Sequence, residues 1–452
     1  MQPFHYHVFI CDQKKPEGLP CCPGRGSLAT IEALRKEVAA RGLLDAVQIT
    51  TCGSLGVCER GPNLVVYPEG IWYSGVKAED VPELVESHFI KGRPLERLLN
   101  RDEAALRSEI HSNRAKFMAA QRARDAAGIL PDDLNQTLRG YMESRALLTA
   151  LELDLFTVVD GGATAAEASQ KISTHPRATE MLLNALVAMG MLAKDQGVFR
   201  NTPVTARFFM TGSPDNARPG LIHTANIWHR WSNLTDCVRT GTAVSHQDMG
   251  ARGEDWTEAF IAAMHRNATE RAPLVVQAVG PAANERLLDV GGGSAAYSIA
   301  FAKAGDNLHS TVLDLPAVLP IAQRHIHAAG LEARIETRAG DLRRDSFGQG
   351  FTMVLVSAIC HMLSPEENQD LFRRCHAALE PQGRLVMQDF ILEPDKTSPK
   401  QAALFALNML VGTPAGSTYS YEEYGDWLRR AGFGEVREIR LPGPSSLMVG
   451  VR

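Results

Sequence analysis

The stretch that most constrains the fold of this chain is 287–303, where an apolar strand runs into a glycine-rich turn and then into a helix. Gly291, Gly292 and Gly293 carry no Cβ, so the backbone can take positive φ angles and let a ligand approach its N–H groups closely. Acidic Asp314 follows at the end of the next strand, which argues against a turn that only packs a helix on a strand. The pattern therefore predicts a small-molecule cradle.

The spacing of this turn alone fits two ligands. Gly291-x-Gly293-x-x-Ala296, followed by Asp314, is one form of the dinucleotide fingerprint. Asp289 distinguishes between the two ligands, because a carboxylate there would repel a pyrophosphate but suits a ligand that carries ammonium and sulfonium groups. S-adenosylmethionine is such a ligand and is the expected one. A nicotinamide-dependent oxidoreductase is the alternative.

Length and charge narrow the class of protein. At 452 residues the chain is expected to form two to four domains. A net charge of -5 gives no bulk electrostatic reason to bind nucleic acid. The sequence has no apolar run of transmembrane length and no basic leader followed by an apolar core. We expect a cytoplasmic protein with neither nucleic acid nor membrane as partner.

The first hundred residues predict a small α/β unit. The pattern is β-α-β, then two strands about a Pro/Gly turn, then a helix, at 7–11, 27–41, 47–50, 63–67, 71–76 and 80–89. Five of the eight cysteines fall within residues 1–58. In a cytosolic chain such crowding indicates a metal site before disulfides.

Several motifs of this unit resemble the thioredoxin-like [2Fe-2S] ferredoxins: Cys-Asp-Gln-x-x-Pro-Glu-Gly, Arg25-Gly-Ser27, Cys58-Glu-Arg-Gly-Pro62 and Val-Val-Tyr-Pro-Glu-Gly-x-Trp-Tyr. The resemblance implies a domain over 1–98 with Cys11, Cys22, Cys52 and Cys58 as cluster ligands, Cys21 being a bystander. Such a domain would transfer electrons or sense redox state, with a possible redox partner protein. A structural zinc site is the alternative, since thiolates suit both.

The middle of the chain predicts helices. A solvated linker helix occupies 99–131, and an apolar helical pattern over 134–156 is followed by helices at 163–173, 176–191 and 203–209. A short hairpin at 192–200 completes a winged-helix pattern. The helix of 176–191 carries one arginine among aliphatic residues, so it is expected to pack and not to read DNA.

From about residue 132 onward the chain resembles the O-methyltransferases that carry a winged-helix dimerisation domain. The motifs are Arg139-Gly-Tyr-Met-Glu-Ser-Arg145, Glu180-Met-Leu-Leu-Asn-Ala-Leu186, Asp289-Val-Gly-Gly-Gly293, Gly340-Asp341 and the region of His361. The resemblance implies a dimerisation domain at 132–230, a Rossmann-like methyltransferase domain at 231–452, and a homodimer. The expected fold class is α/β, in which a mainly helical domain separates the ferredoxin-like unit from a doubly wound sheet.

The predicted site lies at the carboxyl ends of the strands that follow the glycine turn. The resemblance makes His361 the general base and Asp389 the acid that orients its imidazole. Met362, Leu363 and Thr418 depart from the family pattern beside these positions. The residues implied for S-adenosylmethionine are Asp289, Gly291, Gly293, Asp314, Leu315, Gly340, Asp341, Leu342 and Ser357.

The resemblance implies that the acceptor pocket is walled by Trp228, Trp231, Met264, Phe405, Met409 and Tyr419. Such walls predict a flat, largely apolar small molecule, aromatic or quinol-like, that is methylated on oxygen. Methyl transfer needs mainly a base and correct positioning, because a sulfonium is already a good leaving group. Methylation of carbon on a tetrapyrrole-like or other ring, and a redox-responsive protein without catalysis, are the alternatives.

Overall fold

The computed structural model describes residues 3–15, 19–244, 254–282 and 284–452. The chain divides into two compact units, Met1–Gly140 and Tyr141–Arg452, each of which is described by itself. Within the described ranges, no helix is both long and apolar enough to cross a membrane.

The first unit contains a four-stranded sheet in the order β2-β1-β3-β4. Strand β1 pairs parallel with β2 and antiparallel with β3, as a β-α-β unit followed by a hairpin requires. Alternate residues of β1, Tyr6, Val8 and Ile10, are buried in the core of this unit. The predicted element order is present: β1 Tyr6–Cys11, α1 Ser27–Ala40, β2 Val47–Cys52, β3 Asn63–Tyr67, β4 Ile71–Ser74 and α2 Val81–Leu84, which continues as a π-helical turn Val85–Ile90.

Two long helices follow. Helix α3 spans Glu103–Ala126 and is capped by the Asp102 carboxylate, which accepts from the Ala105 N–H at 2.9 Å. It is mostly exposed, as expected of a linker helix. Gly128, with φ +64°, interrupts the helical path, and α4 then runs over Asp132–Glu152.

The start of the second unit is helical. Its apolar core includes Leu151, Phe156, Leu183 and Leu186. The predicted hairpin is confirmed and joins a third short strand in the order β5-β7-β6. The elements are α5 Leu155–Val158, β5 Ala163–Thr164, α6 Ala165–Lys171, α7 Pro176–Ala188, β6 Leu192–Asp195, β7 Val198–Asn201, α8 Pro203–Phe209, α9 Arg218–Trp231 and α10 Leu234–Thr240.

The rest of the second unit is built on a seven-stranded sheet in the order β10-β9-β8-β11-β12-β16-β15. Its first five strands are parallel, and β16 is antiparallel to both neighbours. Its elements are α11 Glu254–Val279, β8 Arg286–Val290, α12 Ala296–Ala304, β9 His309–Asp314, α13 Leu319–Ala328, β10 Ile335–Ala339, β11 Phe351–Ser357, α14 Pro365–Ala378, β12 Leu379–Asp389, β13 Ile391–Leu392, α15 Lys400–Gly412, β14 Tyr419–Ser420, α16 Tyr421–Arg430, β15 Glu435–Ile439 and β16 Ser446–Val451.

Helices cover both faces of this sheet, which explains why its central strands are apolar on both sides. In β8, Leu287 contributes to the core on one face, whereas Leu288 and Val290 contribute to the core on the other. The chain passes from β8 to β9 on one side and later to β11 on the other. The carboxyl end of β8 is therefore a topological switch point, where a doubly wound sheet binds its ligand.

Candidate active site

The turn after β8 is a backbone cradle tied to the end of β9. Gly291 has φ +69° and donates its N–H to the Leu313 carbonyl at 2.8 Å. Gly293 has φ +58° and donates to Asp314 Oδ2 at 2.8 Å, while Leu315 N–H donates to Asp314 Oδ1 at 2.7 Å. Burial raises the pKa of Asp314, and these two N–H groups oppose that rise. Asp314 thus fixes the cradle and retains acceptor capacity on both oxygens.

Asp289 supports the turn from beneath. Its carboxylate is 2% exposed and accepts from Ser298 Oγ at 2.7 Å. A Cβ at Gly292 would lie 2.8 Å from Asp289 Cγ, so this position requires glycine for space. Burial raises the pKa of Asp289 to about 6. The sequence predicted a carboxylate that faces the ligand; the structure directs it into the fold behind the cradle.

His361 and Asp389 form a buried pair at the ends of two adjacent strands. His361 lies in a short 3₁₀ turn, Cys360–Met362, after β11, and Asp389 is the last residue of β12. The distance from His361 Nδ1 to Asp389 Oδ1 is 2.7 Å, and the backbone N–H groups of His361 and Phe390 also donate to this carboxylate at 3.1 and 2.8 Å. Three donors fix Asp389, and Asp389 fixes the imidazole with Nε2 opposite.

Aromatic rings cover this pair. The Phe405 ring meets His361 edge-on, with centroids 4.9 Å apart and an interplanar angle of 85°. Phe390 and Phe405 stack at 4.0 Å. His361 is 7% exposed, so the fold shields its imidazole from most of the solvent. A base held by a carboxylate and facing rings, beside a glycine cradle, can deprotonate a bound hydroxyl in a site that excludes most water.

Comparisons with known proteins decide the family. An O-methyltransferase domain matches residues 231–434, and an O-methyltransferase dimerisation domain matches residues 135–212. A 3-hydroxy-5-methyl-1-naphthoate 3-O-methyltransferase from Streptomyces sahachiroi is 34% identical over 334 residues, which cover 71% of this chain and 95% of that protein. The chain belongs to the O-methyltransferase family. It is an S-adenosylmethionine-dependent methyltransferase, as predicted, and the alternative of a nicotinamide-dependent oxidoreductase is wrong.

Other relatives agree with this assignment. The methyltransferase resembles the tetracenomycin polyketide synthesis 8-O-methyl transferase TcmO of Streptomyces glaucescens, with 28% identity over 71% of this chain and 96% of that protein. Among solved structures, an O-methyltransferase family protein from Burkholderia thailandensis has a TM-score of 0.65 at 26% identity, covering 71% of this chain and 97% of that chain. PigF with SAH has a TM-score of 0.66 at 26% identity, covering 72% and 100% respectively.

The remaining residues predicted for the cosubstrate lie around the cradle of the methyltransferase. Gly340 donates its N–H to the Asp314 carbonyl at 3.0 Å, which brings Asp341 and Leu342 to the same edge of the sheet. Burial opposes ionisation of Asp341, but the Arg343 N–H and the Arg344 guanidinium hold its pKa below the ordinary value. Leu342 and Leu315 are partly buried against neighbouring core side chains. Ser357 ends β11 and donates to Gln388 Oε1 at 2.5 Å.

The predicted acceptor residues divide into three groups. Phe405 touches His361, and Met409 is buried one turn further along α15. Trp231 joins α9 to α15 by a hydrogen bond from Nε1 to Asn408 Oδ1 at 2.9 Å, and Met264 lies half-buried on α11. Trp228 packs partly buried against the helical core.

Tyr419 is the sixth predicted wall residue, and its place in the wall stays a prediction. It is 5% exposed, its ring packs edge-on against Tyr424 and Trp427, and its hydroxyl donates to the Leu363 carbonyl at 2.6 Å. The structure therefore uses it as core. Neighbouring Thr418 is also buried, and its hydroxyl donates to the Ala402 carbonyl at 3.0 Å. A threonine at this position supplies no carboxylate.

Three features of the site carry no signal in the sequence. His265 on α11 lies 2.8 Å, Nδ1 to Oγ, from buried Ser294 of the cradle. Gln388 accepts from both Tyr297 and Ser357, and so links α12 with β11 and β12. Arg230 lies half-buried on α9. Each depends on contacts between residues far apart in sequence, which no local pattern encodes.

The predicted cluster cysteines gather at one end of the first unit. Cys11 and Cys52 are opposite one another in the parallel β1/β2 register. The Cys22 thiol donates toward Cys11, which holds the pKa of Cys11 below the ordinary thiol value. Cys58 Sγ lies 3.0 Å from Lys15 Nζ and 3.1 Å from Ser54 Oγ. Across the described part of the chain, however, no three His, Cys, Asp or Glu side chains converge as a single metal-binding group.

Proposed function

We propose that this methyltransferase transfers the methyl group of S-adenosylmethionine to a hydroxyl of a flat, largely apolar aromatic acceptor. The observation that carries the proposal is the His361–Asp389 pair, 2.7 Å apart, under the stacked rings of Phe390 and Phe405. An oxygen nucleophile needs a base, whereas stacked rings accommodate a planar substrate. Two relatives are named for O-methylation of a naphthoate and of a polyketide product.

His361 and Asp389 account for the proton that the acceptor loses in the reaction. The acceptor hydroxyl gives its proton to His361 Nε2, and the resulting imidazolium is stabilised by Asp389. The acceptor oxygen forms a bond to the methyl carbon while the carbon–sulfur bond breaks, and sulfur keeps the electron pair as the neutral thioether S-adenosylhomocysteine. Because the leaving group needs no assistance, alignment and deprotonation supply the catalysis.

Support for the cosubstrate position comes from the cradle. At the switch point, no atom of the described residues beyond its chain neighbours lies within 4 Å of the position that a Cβ on Gly293 would occupy, and we propose that Asp314 accepts the ribose hydroxyls there. We assign Leu315, Gly340, Asp341, Leu342 and Ser357 to the surrounding walls. Asp289, held behind the turn, supplies negative charge for the cationic ligand without direct contact.

The test measures the methylation of hydroxynaphthalenes by S-adenosylmethionine. The release of S-adenosylhomocysteine is the readout. We expect transfer by the wild type and loss by roughly 10²- to 10⁴-fold in His361→Ala. His327→Ala is the matched control, because His327 is an exposed histidine of α13 paired with Glu332. Equal rates for His361→Ala and the control would contradict the proposal.

We infer that the protein is a homodimer. Residues 135–212 match an O-methyltransferase dimerisation domain. Helix α4 exposes four apolar side chains, Leu134, Leu138, Tyr141 and Met142. Their spacing places them along one side of the helix, a surface that a monomer would leave in water. Leu138→Asp should reduce the mass measured by light scattering towards that of one chain, whereas Arg107→Asp on α3 should not.

A second activity is favoured by the thiols of the first unit. A [2Fe-2S] cluster has two iron ions, and each of them takes two thiolate ligands from the protein. Its four cysteines therefore act as two pairs. The Cys22 thiol donates to Cys11, Cys52 is opposite Cys11, and Cys58 Sγ accepts from Lys15 Nζ and lies 3.1 Å from Ser54 Oγ. We propose that these four residues hold such a cluster. It would supply one-electron transfer or redox sensing to a partner.

Adjacent cysteines give this second proposal a sharp test. Cys22 is 1% exposed, while Cys21 is half-buried and, among the described residues, accepts from the Gly24 N–H at 3.4 Å. In anaerobic preparations Cys22→Ala should lose iron and the cluster absorbance, whereas Cys21→Ala should retain both. Stoichiometric zinc without iron, or the reverse pattern in the two variants, would contradict it.

A further inference from the structure

One arginine beside α15 has no acidic partner among the described residues. Arg230, on α9, is half-buried, and in the part of the chain that the structure describes it forms no ion pair. Other half-buried arginines of this unit are paired, such as Arg384 with Glu285 and Arg374 with Asp370. Burial lowers the pKa of Arg230. A guanidinium held in this way costs free energy unless an anion reaches it.

The guanidinium of Arg230 lies beside α15. Its Nη1 lies 3.5 Å from the point that a Cβ at Gly412 would occupy. Gly412 follows Phe405 by seven residues and Met409 by three, so all three lie on one face of α15. Phe405 touches His361 at the other end of that face. The two ends are separated by about 10 Å of helix.

The chain after α15 returns towards the base. Thr413 Oγ1 accepts from the Gly416 N–H at 2.9 Å, and a Cβ at Gly416 would collide with the His361 carbonyl oxygen. Arg230 and His361 therefore both border one short apolar strip formed by α15 and this loop. A flat molecule placed along the strip, with its hydroxyl at His361, brings its far edge towards Arg230.

We infer that Arg230 binds a carboxylate of the acceptor, at the end of the ring system opposite the methylated hydroxyl. The inference rests on the proposed function and names the substrate class, an aromatic hydroxy acid. A guanidinium matches a carboxylate with two parallel hydrogen bonds, which a lysine cannot reproduce.

The test compares 6-hydroxy-2-naphthoate with the neutral 6-hydroxy-2-naphthamide and 2-naphthol. Binding is measured by calorimetry on the full-length protein loaded with S-adenosylhomocysteine, and turnover is measured in parallel. Wild type should prefer the carboxylate over the amide by roughly 10- to 100-fold. Arg230→Gln should abolish the preference through KM with little change in kcat, and Arg230→Lys should keep part of it. Arg239→Gln, an exposed arginine paired with Asp236, is the control.

Two results would overturn the inference. One is an unchanged preference in Arg230→Gln. The other is a matching loss of S-adenosylmethionine affinity in that variant, which would assign the guanidinium to the cosubstrate carboxylate. Failure of the proposed function is distinguishable: no hydroxynaphthalene, charged or neutral, would then be methylated, although the binding comparison would still report on Arg230.

Discussion

Replacing Asp389 by Asn should separate a base held by a carboxylate from a histidine that is merely buried. Asp389 accepts from three donors: His361 Nδ1, and the N–H groups of His361 and Phe390. Asn offers one acceptor oxygen and places an NH₂ group against a donor, and it removes the charge that stabilises the imidazolium. We expect kcat to fall by roughly 30- to 1000-fold, about 2–4 kcal/mol.

The assay uses a series of phenols of increasing acidity. A nitro-substituted phenol is already ionised and needs no base, so the defect of Asp389→Asn should shrink as the acceptor becomes more acidic. The same trend should hold for His361→Ala, and the double variant should be no worse than the worse single one, because the two residues act as a unit. S-adenosylmethionine affinity should stay unchanged.

Asp426→Asn is the control, since Asp426 is an exposed acid of α16 that pairs only with Arg429 in the described structure. A loss in Asp389→Asn that is equal for weak and strong phenols would refute the reasoning. So would additive defects in the double variant. Either result would mean that Asp389 supports the fold at this strand end and that deprotonation occurs without His361.

Three further outcomes are expected. Burial raises the pKa of Asp289 from 3.8 to about 6, so between these pH values the folded state binds more protons than the unfolded state. As pH rises through that window, the free energy of unfolding of the ligand-free protein should therefore fall by at most about 3 kcal/mol. Urea titrations at a series of pH values should show this slope for the wild type and lack it for Asp289→Asn. Asp314→Ala should weaken S-adenosylmethionine binding by roughly 2–4 kcal/mol in calorimetry, and unchanged affinity would remove Asp314 from the site. Gly292→Ala should cost more stability and cosubstrate affinity than Gly293→Ala, because a Cβ at 292 would lie 2.8 Å from Asp289 Cγ whereas nothing lies within 4 Å at 293; the reverse order of melting temperatures would contradict the packing described.

Local patterns predicted the architecture well where the periodicity was strong. Apolar strands separated by helical stretches indicated the doubly wound sheet, and the end of β8 is its switch point as expected. His361 and Asp389 were placed by resemblance at two strand ends, and parallel order brings those ends together. The hairpin of β6 and β7 also follows from sequence, since Gly197 provides the positive φ of its turn.

Side-chain direction and long-range packing were beyond the sequence. The Tyr419 hydroxyl donates to the Leu363 carbonyl and its ring completes a buried aromatic cluster, and no local pattern predicts either contact. Asp289 was expected to face the ligand, yet a hydrogen bond from Ser298 holds it behind the cradle. A strand pattern tells which residue ends a strand; it does not tell which partner a side chain at that end will find.

The most direct test of the account is the fate of a labelled methyl group. S-adenosylmethionine carrying a ¹³C methyl is incubated with the protein and a hydroxynaphthalene, and the product is examined by carbon NMR. We expect the wild type to form a single labelled methoxy carbon on the acceptor. His361→Ala should lose this product while it still binds S-adenosylmethionine. Label found on a ring carbon, or transfer to oxygen at an unchanged rate in His361→Ala, would contradict it.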